Sequence, residues 1–467
     1  MAVGIILKSW GRFSCLWRAL AAASLVALAA PSMAQTRPPS TQAAQSPSVP
    51  VADGVELANA GDSTRLTFDL TARVDPQAYV LTDPDRVIVD LPEVDFQIDP
   101  ARGQPAAARL PGRRPASGAQ PLAGAVASYR FGLVAAGKSR VVIDLAGPVR
   151  ILRVACEPGP DGRGARLVIE LGRSDRASFL AEAARAGRER AAPAAQPLSS
   201  PISPRDASIS PETSLPVVVL DPGHGGIDTG ALGASGALEK DIVLEFAKAL
   251  AARLEAGKQV RVVLTRDSDV FIALGERVRR ARAAGAALFI SIHADTLTDD
   301  RSVSGATVYT ASDKASDAEA ARVAEKENQA DATGGLDGRD DQSDVTDILF
   351  DLTRRETRAY SNVFARTLVG YWKDIGSLNK NPHRFAGFRV LKAHDVPSVL
   401  LEVGYLSSDS DLAELTAPDW REKATAVVAR AVEGFFRARG SENPARTATG
   451  ADPFGGLAPV MAPSAPH

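Results

Sequence analysis

The chain has 467 residues, is 45% apolar and 24% charged, and carries a formal net charge of −2. That length exceeds one ordinary core and calls for two or three domains. A near-neutral balance without a long basic patch, and aromatic residues at only 5%, exclude a nucleic-acid partner.

The N-terminus reads as a processing segment. Lys8, Arg12 and Arg18 form a basic region, Ala19 to Ala30 is apolar, and Ser32-Met33-Ala34 is a small-residue cleavage site. Residues 1–34 are therefore expected to be a signal peptide for the general secretory route, there being no twin arginine. The apolar run is too short to cross a bilayer comfortably, so no membrane span is expected after its removal. Cys15 would leave with it. Cys156, then alone, has no disulfide partner and reads as a small buried apolar side chain at a strand end. Residues 35–50, rich in Pro, Ser, Gln and Ala, are expected to be a disordered lead.

Residues 51–172 change character. Thr64 to Leu70, Arg86 to Leu91, Ser139 to Leu145 and Arg166 to Leu171 alternate apolar and polar residues with period two. This predicts half-buried antiparallel strands and a small all-β, sandwich-like domain. The Gly- and Pro-rich stretch Ala101 to Gln120 is a long loop with no assigned role. Residues 173–214 form a linker: a short charged helix over Arg173 to Arg190, then a flexible Pro/Ser/Ala tether.

Residues 215–439 carry the chemistry. Val217 to Leu220 is a continuous apolar run that suits a buried parallel strand, and it ends in Asp-Pro-Gly-His-Gly-Gly with His224 in the turn. Open α/β sheets keep their chemistry beyond the carboxyl ends of such strands. Ala287 to His293 repeats the pattern, again closing on a histidine. Between them Glu239 stands in the first turn of a helix running from Lys240 to Leu254. Two imidazoles and one carboxylate make a catalytic zinc set with a fourth position open for water. A strand at Val260 to Thr265 and a helix at Leu274 to Ala284, carrying Arg277, follow. Near the far end, Val396 to Tyr405 is another buried strand. Glu402 within it is costly unless paired or functional, and burial is what tunes a carboxylate for proton transfer.

A second group of residues interrupts this pattern. Ser316 to Ala330 is helix-forming, with Ser316 and Glu319 at capping-box spacing and Glu325 and Glu327 in its later part. Gly334 to Ser343 is rich in Gly and Asp, and Asp344 to Gly370 is strongly helical. His383 precedes a strand expected at Phe388 to Leu391. Residues 440–467 are low in bulky apolar side chains and read as a disordered tail.

DPGHGG, the Glu239-Lys240 pair, SIHAD and PSVLLEVGYLS, in that order over about Leu215 to Arg437, resemble the zinc-dependent N-acetylmuramoyl-L-alanine amidases of bacterial cell walls. The resemblance implies an α/β catalytic domain with a mixed, mostly parallel sheet flanked by helices. It implies Zn2+ held by His224, Glu239 and His293, with Glu402 as the catalytic glutamate. Ser408 stands where many relatives have Asn, outside the metal set. Arg277 matches an arginine of the family and, with His383, is a candidate for substrate binding; a solvated helix-face charge and a surface loop histidine are the other readings. The β-domain resembles the AMIN domain, which implies binding to peptidoglycan or targeting to the division site. The segment from about 316 to 368 resembles the regulatory insertion of division-associated amidases. There a helix covers the zinc cleft until an envelope activator, of LytM type, displaces it; Glu327 or Glu325 is the expected occluding carboxylate. The implied setting is the periplasm, and the implied role is cell-wall remodelling in daughter-cell separation. Two other readings remain: an envelope zinc peptidase that cuts within the stem peptide, and a non-catalytic wall-binding protein. The latter should lack a ligand or Glu402, and this chain lacks neither.

Overall fold

The computed structural model describes residues 49–105, 122–160, 162–191, 215–297, 303–336 and 349–441. The expected signal peptide, nearly all of the lead, most of the 101–120 loop, the tether from 192 to 214, residues 337–348 and the tail from 442 lie outside the described residues. Among the described residues no helix is long and apolar enough to cross a membrane.

The period-two segments form strands as expected. β1 (Val51–Ala60), β2 (Ser63–Leu70), β3 (Gln77–Leu81), β4 (Arg86–Pro92), β5 (Asp95–Phe96), β6 (Val126–Ala135), β7 (Lys138–Leu145), β8 (Val149–Pro158) and β9 (Ala165–Arg173) make two sheets, ordered β5-β1-β2-β9-β8 and β3-β4-β7-β6. Alternation sends Leu66 and Phe68 of one sheet, and Val87, Val89, Val141 and Ile143 of the other, into a shared core. Phe68 meets Tyr129 and Phe131 edge-on at centroid distances of 6.2 and 5.7 Å. Cys156 is free and buried on β8, where its Sγ lies 3.5 Å from the Val74 amide. Ile88 and Val142, one residue out of phase with the core positions, are also fully buried, but in a second cluster with Ile227 and Phe271.

The charged helix read as part of the linker is present as α1 (Arg176–Ala191), but it packs on the β-domain. Its Phe179 is fully buried in the sandwich core.

The second half of the chain supplies β10 (Val217–Pro222), α2 (Glu239–Ala256), β11 (Arg261–Leu264), α3 (Leu274–Ala283), β12 (Ala286–His293), β13 (Ala306–Ala311), α4 (Ala318–Glu327), α5 (Ala330–Thr333), α6 (Leu349–Trp372), β14 (Leu378–Ala386), β15 (Ser398–Glu402), α7 (Asp409–Leu415) and α8 (Pro418–Ser441). The sheet order is β11-β10-β12-β15-β13-β14, with β13 antiparallel to β15 and every other pair parallel. The expected mixed, mostly parallel sheet is what forms. Val218 and Leu220 face α2, α6 and α8 through Phe246, Phe364, Leu368, Val428 and Val432. Val219, Phe289 and Leu400 face Leu274 of α3, Val323 of α4 and Phe388. A sheet clothed on both faces requires the unbroken apolar runs seen in its central strands.

Three local expectations are corrected. Residues 389–391 form a short 3-10 helix, and the strand is β14, so His383 lies inside a strand rather than before one. The N-cap of α4 is Asp317, whose Oδ1 accepts the Ala320 amide at 2.9 Å, and not Ser316. No capping box closes, because Glu319 is held by Arg384 at 3.0 Å. The helix also stops at Glu327, and the short α5 follows as a separate turn.

Phe179→Ala should destabilise the β-domain by about 3 kcal/mol or more, the usual cost of emptying a buried aromatic site. Denaturant unfolding checks this; a change below ~1 kcal/mol would return α1 to the linker.

Candidate metal centre and catalytic cleft

Three parallel neighbours bring the site together. Pro222 lies opposite Ile292 across β10 and β12, and His293 lies opposite Glu402 across β12 and β15. The Gly223 amide donates to the Ile292 carbonyl at 2.9 Å, so the turn after β10 lies directly against the end of β12. A Cβ on Gly223 would come within 2.6 Å of the His293 ring, which makes glycine necessary at that point. His224 takes a left-handed backbone conformation at φ 56°. The two imidazoles pack edge to face, 5.0 Å apart.

The carboxylates complete the group. Glu239 opens α2 and is fully buried. Its Oε2 accepts the Ala231 amide at 2.8 Å and its Oε1 accepts the Ala294 amide at 2.9 Å. That same Oε1 lies 3.1 Å from His224 Nε2 and 3.2 Å from His293 Nδ1. Glu327, the last residue of α4, places Oε2 3.5 Å from His224 Nε2 and 3.1 Å from His293 Nδ1. Yet His224 Nε2, His293 Nδ1 and Glu327 Oε1 are buried with no hydrogen-bond partner. Lone pairs that converge at this spacing without bonding one another describe a metal cradle. Arms of about 2.0–2.2 Å around a tetrahedral zinc put neighbouring donors ~3.3–3.6 Å apart. His224, His293 and Glu327 form a group able to hold an ion, and Glu239 is as near to both imidazoles as Glu327 is.

Surrounding groups fix the donors. His224 Nδ1 lies 2.9 Å from Asp228 Oδ2, so the ring's proton sits there and Nε2 is free for a metal. Burial alone would lower the His224 pKa, but Asp228, Glu239 and Glu327 raise it well above the ordinary value. Burial is likewise outweighed at His293, which Glu327 and Glu239 push up to about 10. Beneath the turn, Asp221 Oδ1 accepts Arg277 at 2.8 Å and Thr265 at 2.5 Å, and Oδ2 accepts Ser291 at 2.7 Å. Arg277 also donates to the carbonyls of Pro222, His224 and Ile272. Arg266 donates to those of Pro222 and Gly223, and burial lowers its pKa to about 10.

Glu402 is fully buried; its Oε2 accepts the Asp295 amide at 2.9 Å, while Oε1 has no partner. Burial, then the neighbouring Glu239 and Glu327, raise its pKa well above the carboxylate range against the pull of His293 and Lys326.

His224, Glu239, His293, Glu402 and Glu327 are thus gathered at one rim. Three other candidates are placed differently. Glu325 is exposed on the outer face of α4 and is corrected as an occluding residue. Arg277 is buried with its donors turned to protein oxygens, so it holds the His224 turn instead of substrate. His383 is half-buried on β14, with Nε2 3.3 Å from Thr310 Oγ1 beside Asn362 of α6. Sequence reading missed Asp221, Asp228 and Asp295. The signal for Asp228 was its position four residues after His224 in the same turn. The choice between Glu325 and Glu327 was also legible: Ala320, Val323, Ala324 and Glu327 have i, i+3, i+4, i+7 spacing, so Glu327 shares the apolar stripe. Ser408 caps α7 by accepting the Asp411 amide, which accounts for a small polar residue there.

A buried His-His-carboxylate group beside a free glutamate, at the carboxyl rim of a mixed α/β sheet, is the donor set of metal-assisted hydrolysis. Residues 218–434 match the N-acetylmuramoyl-L-alanine amidase family, and residues 54–171 match the AMIN domain. The chain is 30% identical over 386 residues to N-acetylmuramoyl-L-alanine amidase AmiC of Escherichia coli O6:H1, covering 81% of this chain and 87% of that protein. It is 38% identical over 221 residues to N-acetylmuramoyl-L-alanine amidase AmiA of Escherichia coli K12, covering 47% of this chain and 76% of that protein. A solved structure, the catalytic domain of the N-acetylmuramoyl-L-alanine amidase CwlV from Bacillus (Paenibacillus) polymyxa, covers 48% of this chain and 99% of its own at 26% identity, with a TM-score of 0.36. The chain belongs to the N-acetylmuramoyl-L-alanine amidase family, with an AMIN domain ahead of its catalytic domain. Membership sets aside the peptidase and non-catalytic readings.

Asp228→Ala should weaken metal binding about 10- to 100-fold, because the His224 ring loses the partner that fixes its tautomer. Competition against a chromophoric chelator measures this; unchanged affinity would remove Asp228 from the site.

Proposed function

We propose that the chain is a periplasmic zinc amidase that cleaves between the lactyl group of N-acetylmuramic acid and the L-alanine of the stem peptide. Its role is wall remodelling in daughter-cell separation, and α4 holds it shut until a LytM-type envelope activator displaces that helix. The observation that carries the reading is Glu239 Oε1 lying 3.1 Å from His224 Nε2 and 3.2 Å from His293 Nδ1, with the unpartnered Glu402 Oε1 buried at the same rim. Two imidazoles and a carboxylate suit zinc, and His224, His293 and Glu239 would hold it. When bound, zinc supplies a Lewis acid that polarises a carbonyl oxygen and acidifies water.

The protein's own groups do the rest. Glu402 keeps one oxygen fixed by the Asp295 amide and the other free, so it can take the proton of the attacking water at Oε1. It then returns that proton to the amine nitrogen as the amide bond breaks. Its raised pKa suits both halves of the exchange. Asp228 and the Asp221–Arg277 pair keep His224 in place throughout.

Closure is supported by what fills the cleft. Glu327 Oε2 reaches both imidazoles, and the cavity beside them measures only about 10 Å³. That is room for about one water and none for a sugar-peptide amide. Lys326 makes an ion pair with Asp295, next to Glu402 in space, and so ties α4 to the catalytic rim.

Glu402→Gln should retain stoichiometric zinc and lose at least ~10²-fold in turnover on purified peptidoglycan. Elemental analysis with muropeptide mass spectrometry reads both, and near-parental turnover would remove Glu402 from the mechanism. His224→Ala and His293→Ala should instead lose the metal; full zinc occupancy in either would break the ligand set. Glu327→Ala should raise basal dye release from labelled peptidoglycan. A folded, zinc-loaded variant no faster than the parent would end the occlusion reading.

A further inference from the structure

The outer face of sheet β3-β4-β7-β6 should be solvated, because its inner face already supplies the sandwich core. Alternation puts Arg86, Ile88 and Asp90 of β4, Arg140, Val142 and Asp144 of β7, and Arg130 of β6 on that outer face, with Ile88, Val142 and Arg130 in one cross-strand row. Instead it is covered. Arg86 is 1% exposed and Arg140 7%, while Ile88 and Val142 are at 0%.

What covers the face is the segment that follows the occluding helix. Arg86 donates to the Ala332 carbonyl at 2.6 Å and Arg130 to the Thr333 carbonyl at 2.7 Å. Arg140 donates to the carbonyls of Gly334 and Gly335 at 3.0 and 3.1 Å. These oxygens lie at and just beyond the C-terminus of α5, where helix geometry leaves carbonyls with unused acceptor capacity; the Ala332 carbonyl also accepts the Gly335 amide at 3.0 Å. The guanidinium groups are held ready for them: Asp90 grips Arg140 through both oxygens, at 2.6 and 3.1 Å, and Asp144 grips Arg130 at 2.5 Å. Gly335, at φ 72°, lies so close that a Cβ would come within 2.8 Å of Ile88 and 3.0 Å of Val142. Leu336 joins the same apolar cluster, alongside Ile227 and Phe271. The β-domain also touches the metal-site turn, since the amides of Ile227 and Phe271 both donate to the Leu133 carbonyl at 3.3 Å.

We propose that this arginine-bearing face is a docking surface for residues 332–336, and that the β-domain thereby clamps the occluding segment in its closed position. The proposal rests on the reading of Glu327 as the occluding carboxylate and adds the element that holds it. Gly335 lies only eight positions after Glu327, so the arginine grip fixes the far end of the same segment whose near end fills the metal cleft. Any ligand that draws the β-domain off this face loosens α4, and by linkage any partner that lifts α4 loosens the β-domain.

The test uses the full-length, zinc-loaded enzyme. Arg86→Ala with Arg130→Ala removes guanidinium grips. Gly335→Val unseats the segment from the other side and leaves every residue of the β-domain intact, which covers the case in which the arginine variant fails to fold. Basal dye release from labelled peptidoglycan and amide hydrogen exchange over residues 318–333 are read together, with Glu327→Ala in parallel. The expected result is faster exchange over 318–333 and a rise of about tenfold in basal release in both clamp variants. If Glu327→Ala is activated while the folded clamp variants keep parental exchange and release, the clamp is overturned and occlusion stands. If the clamp variants exchange faster but neither they nor Glu327→Ala gain activity, occlusion fails and the clamp loses its regulatory meaning with it.

Discussion

Three carboxylates, those of Glu239, Glu327 and Glu402, are buried around two imidazoles at the carboxyl ends of β10, β12 and β15. Burying unpaired like charges costs several kcal/mol per ion, so this rim is stable only with positive charge among the carboxylates. The two histidines are the titratable groups in direct contact with Glu239 and Glu327. Their pKa values are driven up by the carboxylates despite burial, and Glu239 is held well below its ordinary value against the effect of burial. A divalent cation held there would supply that charge. Glu402 is the exception among the three. It is buried too, but its pKa goes up because no cation is bonded to it directly. One rim therefore contains carboxylates driven in opposite directions, a separation that suits the ligand and acid–base roles proposed for Glu239 and Glu402.

The lower structure follows from keeping that rim rigid. The turn carrying His224 has a strained backbone and abuts His293, and it would relax without support. Asp221 and Arg277 supply it as a fully buried pair in which both carboxylate oxygens and the guanidinium are hydrogen-bonded, the condition under which a buried ion pair is tolerated. Arg266 adds a second guanidinium under the same carbonyls. The polar residues Asp221, Ser291, His293 and Glu402 fall at the carboxyl ends of the central strands.

How much of this was legible depended on how local the signal was. Strands that end in His224 and His293, and the buried Glu402, stand out because a polar residue closing an apolar run has a physical cost visible in the sequence. The period-two β-domain was equally plain. Expectation failed where tertiary contacts override local preference. Phe388 to Leu391 looks like a strand by composition, yet Phe388, Val390 and Leu391 pack on α3 and α4 as a 3-10 turn. Ser316 has capping-box spacing, but Arg384 draws Glu319 away and Asp317 caps. Arg277 reads as a helix-face charge because its partner Asp221 lies 56 positions earlier, a pairing that only the sheet creates. The outer arginines of the β-domain carry no local mark, since their acceptors are main-chain oxygens about two hundred residues away.

The composition of α4 fits the role of lid proposed for it over the His224–His293 rim. A core helix such as α8 buries Val427, Val428, Val432 and Phe435, each worth roughly 1.5–3 kcal/mol. The buried face of α4 offers only Ala320, Val323 and Ala324 before reaching Glu327. Its apolar grip is therefore slight, and its seating depends on polar contacts at its edges: Asp317 and Glu319 on Arg384, Lys326 on Asp295, and Asn328 on Gly387 and Arg389. Polar contacts of this kind are exchanged with water or with a partner's groups at little net change, whereas a buried aromatic is not. Reversing such a gate from one part in a hundred open to one part in a hundred closed takes about 5.5 kcal/mol of differential binding. An alanine-faced helix keeps the closed state within that reach. On the proposed clamp, the arginine contacts at the far end of the segment add to a seating that the packing of α4 alone makes weak.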